Sequence, residues 1–294
     1  KEGVKPERIV LIDHLAALID RNLVVRFPVN GGDSRFRMLD TVRQFAREVA
    51  EKESIADVLD RTHAEYFAAL AAEWCPKIDS PEAAQALAIL DPDHLNLYAA
   101  LSYATEHRDT ELSVTIAGEI WPYWQYRGDL SGGVERLEVV QKLAQDAGHP
   151  GEATIRGALA ELEEDRGRYG QALRHLARAR VLFGDQNDTC GQSWVELEQA
   201  VVLMNQSETN AARESFSQAK KLAEECEDPV LSARALMGAG VLAQRSGKHD
   251  TALKIFSLVE RTFRAHGKPR LQSMALTDLG DVYALKGDVP QART

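Results

Sequence analysis

The chain has 294 residues, 27% of them charged and only 6% aromatic, with a formal net charge of −10 at neutral pH. Residues 1–50 carry a formal +2 and the remainder −12, which sets the larger part of the chain against nucleic acid, whose phosphates it would repel. Cys75, Cys190 and Cys226 are too few and too scattered for a disulfide framework or a zinc site, so they are expected as separate buried thiols in a reducing compartment.

In chain order, residues 9–21 place Leu11, Leu15, Leu18 and Ile19 at helical spacing, which predicts a short helix. LVVRFPV and SRFRML follow as two β-prone runs around Asn30, Gly31 and Gly32, where glycine supplies the positive φ of a hairpin turn. Asp40 is then expected as the N-cap of a helix whose buried face is Val42, Phe45, Ala46 and Val49. Helix, hairpin and helix over residues 1–52 resemble the second half of a winged-helix domain. The string RFRMLDTVRQFAREVAE resembles the segment that closes the winged helix of STAND ATPases, the NB-ARC-like signalling switches. In that family a Met-His-Asp motif stands here, and its histidine contacts the phosphate of bound ADP. This chain has Met38, Leu39 and Asp40, and leucine cannot donate a hydrogen bond to phosphate. A plain strand-to-helix junction is the other reading of these three residues.

Residues 53–109 read as a helical linker. A helix is predicted over 55–74 with Val58, Leu59, His63, Tyr66, Phe67 and Leu70 near one face. Ser80-Pro81 and Asp91-Pro92 each look like the start of a further short helix, with a capping side chain before proline. DPDHLNLYAALSYATEHRD resembles the helix that joins winged helix to repeats in bacterial STAND regulators.

Over residues 110–294 the pattern repeats. Ala172, Ala212, Ala252 and Ala292 stand forty residues apart, each in a similar context, and Gly133 takes that place in an earlier copy. Five units follow, the last one cut short; each reads as a helical hairpin, and hairpins that cannot bury an apolar face alone stack into an α-solenoid. Gly167, Tyr169, Ala172 and Ala179, then Ala212, Phe216 and Ala219, then Gly240, Gly247, Ala252 and Phe256, and finally Leu279, Gly280, Tyr283 and Gly287 resemble the tetratricopeptide repeat. Glu163 at an aromatic place and Gln199 at a leucine place depart from it. In the first unit Trp121 and Trp124 are expected in the core, with Tyr123 and Tyr126 off that face. Pro122 should interrupt the helix, either beside a binding surface or where the solenoid bends.

The sequence offers no phosphate loop, nucleophile elbow or metal-ligand spacing, so neither enzymatic activity nor a cofactor is expected. The run Glu161, Glu163, Glu164 and Asp165 is expected as a solvated helix face. What the resemblance implies is a sensor: a protein, peptide or small effector held on the solenoid, controlling a nucleotide-binding domain upstream in the same chain. The repeat's groove positions, carried over, are Glu161 and Glu164, then Trp194, Leu197, Val201 and Met204, then Arg234, Met237 and Gln244, then Met274, Thr277 and Asp281. Trp194 is either a contact for a ligand or the filling of a gap between helices, and Arg234 is expected to anchor an anionic group. An alternative reading makes residues 1–52 a DNA-binding winged helix using Arg35, Arg37, Arg43 and Arg47, although a charge of +2 is weak footing for duplex binding. No run reaches the roughly 20 apolar residues of a membrane helix and no signal peptide opens the chain, so a cytoplasmic piece of a longer protein is expected.

Overall fold

The computed structural model describes residues 6–28 and 34–292; the turn assigned to Asn30, Gly31 and Gly32 lies outside them. The chain divides into two compact units, residues 1–62 and 63–294. The first holds α1 (Pro6–Asp20), β1 (Val24–Pro28), β2 (Ser34–Met38), α2 (Asp40–Lys52) and the start of α3 (Ala56–Trp74). β1 and β2 form an antiparallel pair in which Val24 faces Met38 and Arg26 faces Phe36. Helix α2 begins one residue earlier than its sequence suggests. Leu39, extended at φ −62° and ψ 147°, is the N-cap and makes no side-chain cap bond. Asp40 opens the helix itself and accepts a hydrogen bond from Arg43 Nη2 at 2.8 Å.

The expected apolar face of α2 is not buried. Phe45 is 65% exposed and Val49 is also open to solvent, while Ala50 is the buried residue. Val58, Leu59 and Tyr66 of α3 are likewise exposed, and Ala64, Phe67, Ala68 and Ala71 are the buried positions. Periodicity marks which side chains share a face, not whether anything covers that face.

The second unit continues through a 3-10 turn (Cys75–Asp79) and α4 (Ala83–Glu106) into the repeats. The hairpins are α5 (Thr110–Arg127) with α6 (Leu130–Ala147), α7 (Glu152–Asp165) with α8 (Tyr169–Asp185), α9 (Thr189–Asn205) with α10 (Thr209–Glu225), α11 (Pro229–Arg245) with α12 (His249–Ala265), and α13 (Pro269–Leu285) with α14 (Val289–Ala292). The fold is the mainly α, tetratricopeptide-like solenoid that the forty-residue recurrence predicts, with one β-hairpin ahead of it. Residues 63–109 pack with the repeats: Phe67, Cys75, Leu90, Leu97 and Leu101 share one core with Ile116, Trp124, Leu137, Ile155 and Leu159 of the first hairpins. Asp91-Pro92 does not start a helix, because α4 runs through it with Pro92 inside. The Asp91 carboxylate instead accepts from Tyr123 Oη at 2.9 Å and Arg127 Nε at 2.8 Å. That bond draws Tyr123, expected off the buried face, to 4% exposure, whereas Tyr126 remains exposed.

Turns fix the repeat length. Each hairpin helix ends in a single residue of positive φ, at 128, 148, 167, 187, 207, 227, 247, 267 and 287, so one helix and its turn take about twenty residues and a hairpin takes forty. Glycine fills most of these positions, but Asn187, Ser207 and Glu227 adopt the same left-handed backbone at φ 56°, 66° and 58°. The next helix often opens on an aspartate whose side chain accepts from its first-turn amides: Asp109 from Leu112, Asp188 from Gly191, and Asp228 from Val230 and Leu231.

Close approach depends on residues without a large side chain. A Cβ on Gly238 would lie 2.2 Å from the Phe216 ring, and one on Gly240 would lie 2.7 Å from that of Phe256. Where the repeat departs from its pattern, polar pairs fill the space. Glu163 is buried and ion-paired with Arg166 at 3.2 Å, and Gln199 accepts from Arg180 at 2.7 Å.

Two of the cysteines are not the separate thiols expected. Cys190 and Cys226 are joined in a disulfide, their Cα atoms 5.6 Å apart. A separation of 36 residues is one helix out and one helix back, so the first turn of α9 and the end of α10 meet at the same end of their hairpin. Closing a loop of that length removes unfolded-chain entropy worth about 3–4 kcal/mol. Cys75 is buried and free, and burial first, then the charge of Glu119, pushes its thiol up to about 12.

Because Ser207 holds a left-handed backbone and is exposed, Ser207→Gly is expected to stabilise the solenoid by about 0.5–1 kcal/mol. Thermal melting checks this; a lower melting temperature than the parent's would contradict the turn assignment.

Candidate functional site

The first helices of the hairpins, α5, α7, α9, α11 and α13, face a common cavity of about 520 Å3, which Asp79 of the 3-10 turn also lines. Nine of the twelve groove residues named from the sequence lie on it: Glu161, Glu164, Trp194, Leu197, Val201, Met204, Arg234, Met237 and Met274. Gln244, Thr277 and Asp281 do not. Thr277 and Asp281 are exposed and Gln244 is half-buried. Sequence reasoning missed Trp121, Gln125, Asp165, Glu198, Arg270 and Asp278 among the lining residues. Asp278 had a usable signal, since it stands four residues after Met274 and so shares its face. Asp79 and Trp121 had none, because the curl that brings the start of the unit beside α13 is not written in any one repeat.

The apolar part of the wall is Trp121, Trp194, Leu197, Val201, Met204, Phe216, Met237, Val241, Leu271 and Met274. Trp194 fills a gap between helices and also borders the cavity. Its ring packs where a side chain on Gly157 would be, since a Cβ there would stand 1.8 Å from the ring, and it meets Phe183 edge-on at 6.5 Å. It is nonetheless half-buried and borders the cavity, donating from Nε1 to Glu161 at 3.0 Å.

The polar part is mostly acidic, and the run from Glu161 to Asp165 is not the solvated face expected. Glu161 is half-buried, Glu163 is buried, and Glu161, Glu164 and Asp165 border the cavity. Helix α7 sits between neighbours on both sides, so the face that would be solvated in an isolated helix is shared with them. Burial first, and then the negative field of Glu198, pushes the Glu161 carboxyl up to about 8. Burial also raises Glu164 and Glu198, opposed by the Asn205 hydrogen bond at the former and by Arg234 at the latter. Asp278 is pushed up to about 6 by burial and by Asp281. Arg234, expected to await an anion, is already engaged: its Nη2 lies 2.7 Å from Glu198 Oε1. A guanidinium paired in a groove of carboxylates has little attraction left for an anionic ligand.

At the rim, Lys268 Nζ lies 3.9 Å from Asp79 Oδ2, and Gly267 lies beside Pro81. The start of the last hairpin thus comes round to the segment that precedes the first. A second cavity of about 480 Å3 lies under this seam, lined by Cys75, Ile78, Asp79, Pro122, Tyr126 and Arg270 among others.

In the first unit, Met38 ends β2, Leu39 is exposed, and Asp40 and Arg43 border a separate cavity of about 670 Å3 with Arg47, Ala50, Leu59 and Asp60. Arg47 reaches Asp60 at 2.5 Å and Glu51 at 3.1 Å. Arg43 and Arg47, both offered as DNA contacts, are therefore in ion pairs within the protein.

No family model matches the chain. It is similar to a candidate HTH-type transcriptional regulator of Mycobacterium bovis, 32% identical over 124 residues, which is 42% of this chain and 14% of that protein. The match spans about one seventh of that relative's length. Among solved structures the chain is similar to the apo form of RapI, with a TM-score of 0.63 and 13% identity over 86% of this chain and 87% of that one. It is also similar to the apo form of the quorum sensor NprR from Bacillus thuringiensis, with a TM-score of 0.56 and 13% identity over 96% of this chain and 72% of that one. A STAND protein with a tetratricopeptide repeat sensor from Pyrococcus horikoshii matches at a TM-score of 0.48 and 16% identity, over 95% of this chain and 44% of that one. At 13% identity, RapI and NprR speak for the fold alone. No helix among the described residues is long and apolar enough to cross a membrane.

The buried carboxyl makes a test in pH. Glu161 holds its proton more tightly folded, near 8, than unfolded, near 4.3, so its contribution to stability is full below about 4.3 and declines as the pH rises toward 8. Glu161→Gln, which can still accept from Trp194, is expected to flatten the fall in melting temperature between pH 5 and 8 and to melt higher than the parent above pH 8. A profile parallel to the parent's would contradict the placement of Glu161.

Proposed function

We propose that the second unit is a non-catalytic sensor that binds a peptide or protein partner in its inner groove, and that it belongs to a STAND-type signalling ATPase or transcriptional regulator whose nucleotide switch it controls. The observation that carries this reading is the 520 Å3 cavity where five successive first helices converge, a volume within the roughly 300–1,000 Å3 usual for ligand sites. The sequence resemblance of RFRMLDTVRQFAREVAE supplies the ATPase context, and the similarity to a candidate HTH-type regulator supplies the regulatory one. In this reading the apolar side chains that the first unit exposes, Leu11, Phe27, Phe36, Phe45 and Leu59 among them, are the surface that the upstream nucleotide-binding domain covers. The protein acts in the cytoplasm, a compartment in which the Cys190–Cys226 bond would face reduction. A DNA-binding first unit is the lesser reading, because Arg43 and Arg47 are already paired with acidic neighbours.

Two measurements test it. Calorimetry with ADP and ATP is expected to show no binding, since no phosphate loop is present and Leu39 stands at the place of the family's phosphate-contacting histidine; micromolar affinity for either would overturn the assignment. Peptides selected on the parent chain are expected to lose at least tenfold in affinity, about 1.4 kcal/mol, to Trp194→Ala at a temperature where the variant is still folded, with melting lowered to some extent because the ring also packs over Gly157. Equal binding by parent and variant would place the site elsewhere, and a large fall in melting would make Trp194 chiefly a core residue.

A further inference from the structure

The groove's charge identifies the chemistry of its occupant. Its lining residues include six acidic side chains, of Asp79, Glu161, Glu164, Asp165, Glu198 and Asp278, against two guanidiniums, of Arg234 and Arg270; Glu161 keeps its proton near neutrality, which leaves five as the charged set. Arg234 is committed to Glu198. Two of the remaining carboxylates accept from neutral donors, Glu164 from Asn205 Nδ2 at 2.6 Å and Asp165 from Gln125 Nε2 at 2.8 Å, and the Glu161 carboxyl accepts from Trp194 Nε1 at 3.0 Å. Asp79 Oδ1 is enclosed with no hydrogen-bond partner, although its other oxygen lies 3.9 Å from Lys268. These groups do not line a bare acidic surface. They alternate with Trp121, Trp194, Leu197, Val201, Met204 and Met274 on the same wall.

We infer that the groove binds a short peptide that is both basic and aliphatic, its arginine or lysine side chains set against Glu164, Asp165 and Asp278 and its aliphatic side chains against the Trp194–Met204 wall. This rests on the groove being the sensor site and goes on to name what it senses. Two physical arguments select this occupant. A cation entering a partly desolvated pocket of carboxylates gains far more than it would from the same charges at the surface, because screening is weaker there. A purely hydrophilic polyamine would meet the charge but leave the aliphatic wall facing water, whereas a peptide with alternating basic and aliphatic residues satisfies both. Either indole can also lie under a guanidinium. An acidic peptide, the occupant implied by an anion-anchoring Arg234, would bring like charge into the cavity and is rejected by the same field.

The experiment uses three capped hexapeptides, each of four aliphatic residues and two variable ones, with arginine, glutamine or glutamate at the variable places. Calorimetry is run on the parent chain, on Glu164→Gln with Asp165→Asn, on Trp194→Ala, and on a surface control, Glu135→Gln with Glu138→Gln, two exposed residues of α6. The arginine peptide is expected to bind about tenfold or more tightly than the glutamine peptide, with the glutamate peptide weakest. That preference should fall by about tenfold in the groove double variant and stay unchanged in the surface control. A drop of equal size in the surface control would mean that the peptide is held by overall charge, which overturns the inference. Glutamine and arginine peptides binding alike, both weakened by Trp194→Ala, would overturn the cationic assignment and leave the sensor groove standing. If no peptide responds to any groove substitution, both fall. Melting of each variant, together with the milder Asp278→Asn, separates loss of binding from loss of fold: Asp278→Asn should weaken the arginine peptide selectively, and the absence of any such effect in a fully folded double variant would overturn the placement.

Discussion

Everything in the larger unit depends on reversing a seventeen-residue helix with one residue of positive φ. That step returns the chain antiparallel at a fixed interval, and its recurrence every twenty residues keeps each first helix in phase with the next. In-phase first helices are what place Glu161, Trp194, Arg234 and Met274 on one wall although about 113 residues separate the first from the last. A single inserted residue in any of these helices would rotate everything beyond it by about 100°, so the wall exists only while the interval is kept. Small residues then set the distance. Gly157, Gly238 and Gly240 let Trp194, Phe216 and Phe256 pass across the neighbouring backbone where any Cβ would block them. Stacking is thus an arrangement of large rings over absent side chains, each contact local to one pair of helices.

Much of this is legible in the sequence, for a physical reason. Turn chemistry and the alternation of small and large residues are local, and Gly167, Ala172, Gly240 and Phe256 carry them within one hairpin. Asp228 could be named as a cap from its position before Pro229, and it accepts two first-turn amides. What the residues do not carry is relation at a distance. Phe45 and Val49 have the spacing of a buried face yet lie exposed, because a helix cannot encode whether a neighbour covers it. Tyr123 is buried because Asp91, thirty-two residues before it, is there to accept a hydrogen bond from its hydroxyl. The carboxylate run of α7 looks solvated in one dimension and becomes part of a cavity once α9 and α11 close beside it. Cys190 and Cys226 similarly look scattered until the hairpin is folded, when the two ends of one antiparallel pair coincide.

The groove combines two requirements that oppose each other. Burial of carboxylates disfavours their charge, and the protein offsets this with ion pairs, Arg234 with Glu198 and Lys268 with Asp79, and with neutral donors at other carboxyls. Glu161 is left in a state where neither the proton nor the charge is fully at ease near neutrality. Sites of that kind respond to whatever enters, because an incoming cation changes the protonation of its host as well as its packing. A solvent-filled cleft of the same shape lined with threonine and glutamine would hold a ligand without that response.

The approach of Lys268 to Asp79, with Gly267 beside Pro81, has a mechanical meaning. A helical stack normally ends in open space, where a small change of twist between successive hairpins passes unnoticed. Here the stack comes back on its own beginning, so increments of the same sign from every joint between α5 and α13 accumulate and are expressed together at one seam. The arrangement works as a vernier: displacements too small to matter at any single joint are summed into an opening or a closing at the place where the two ends face each other.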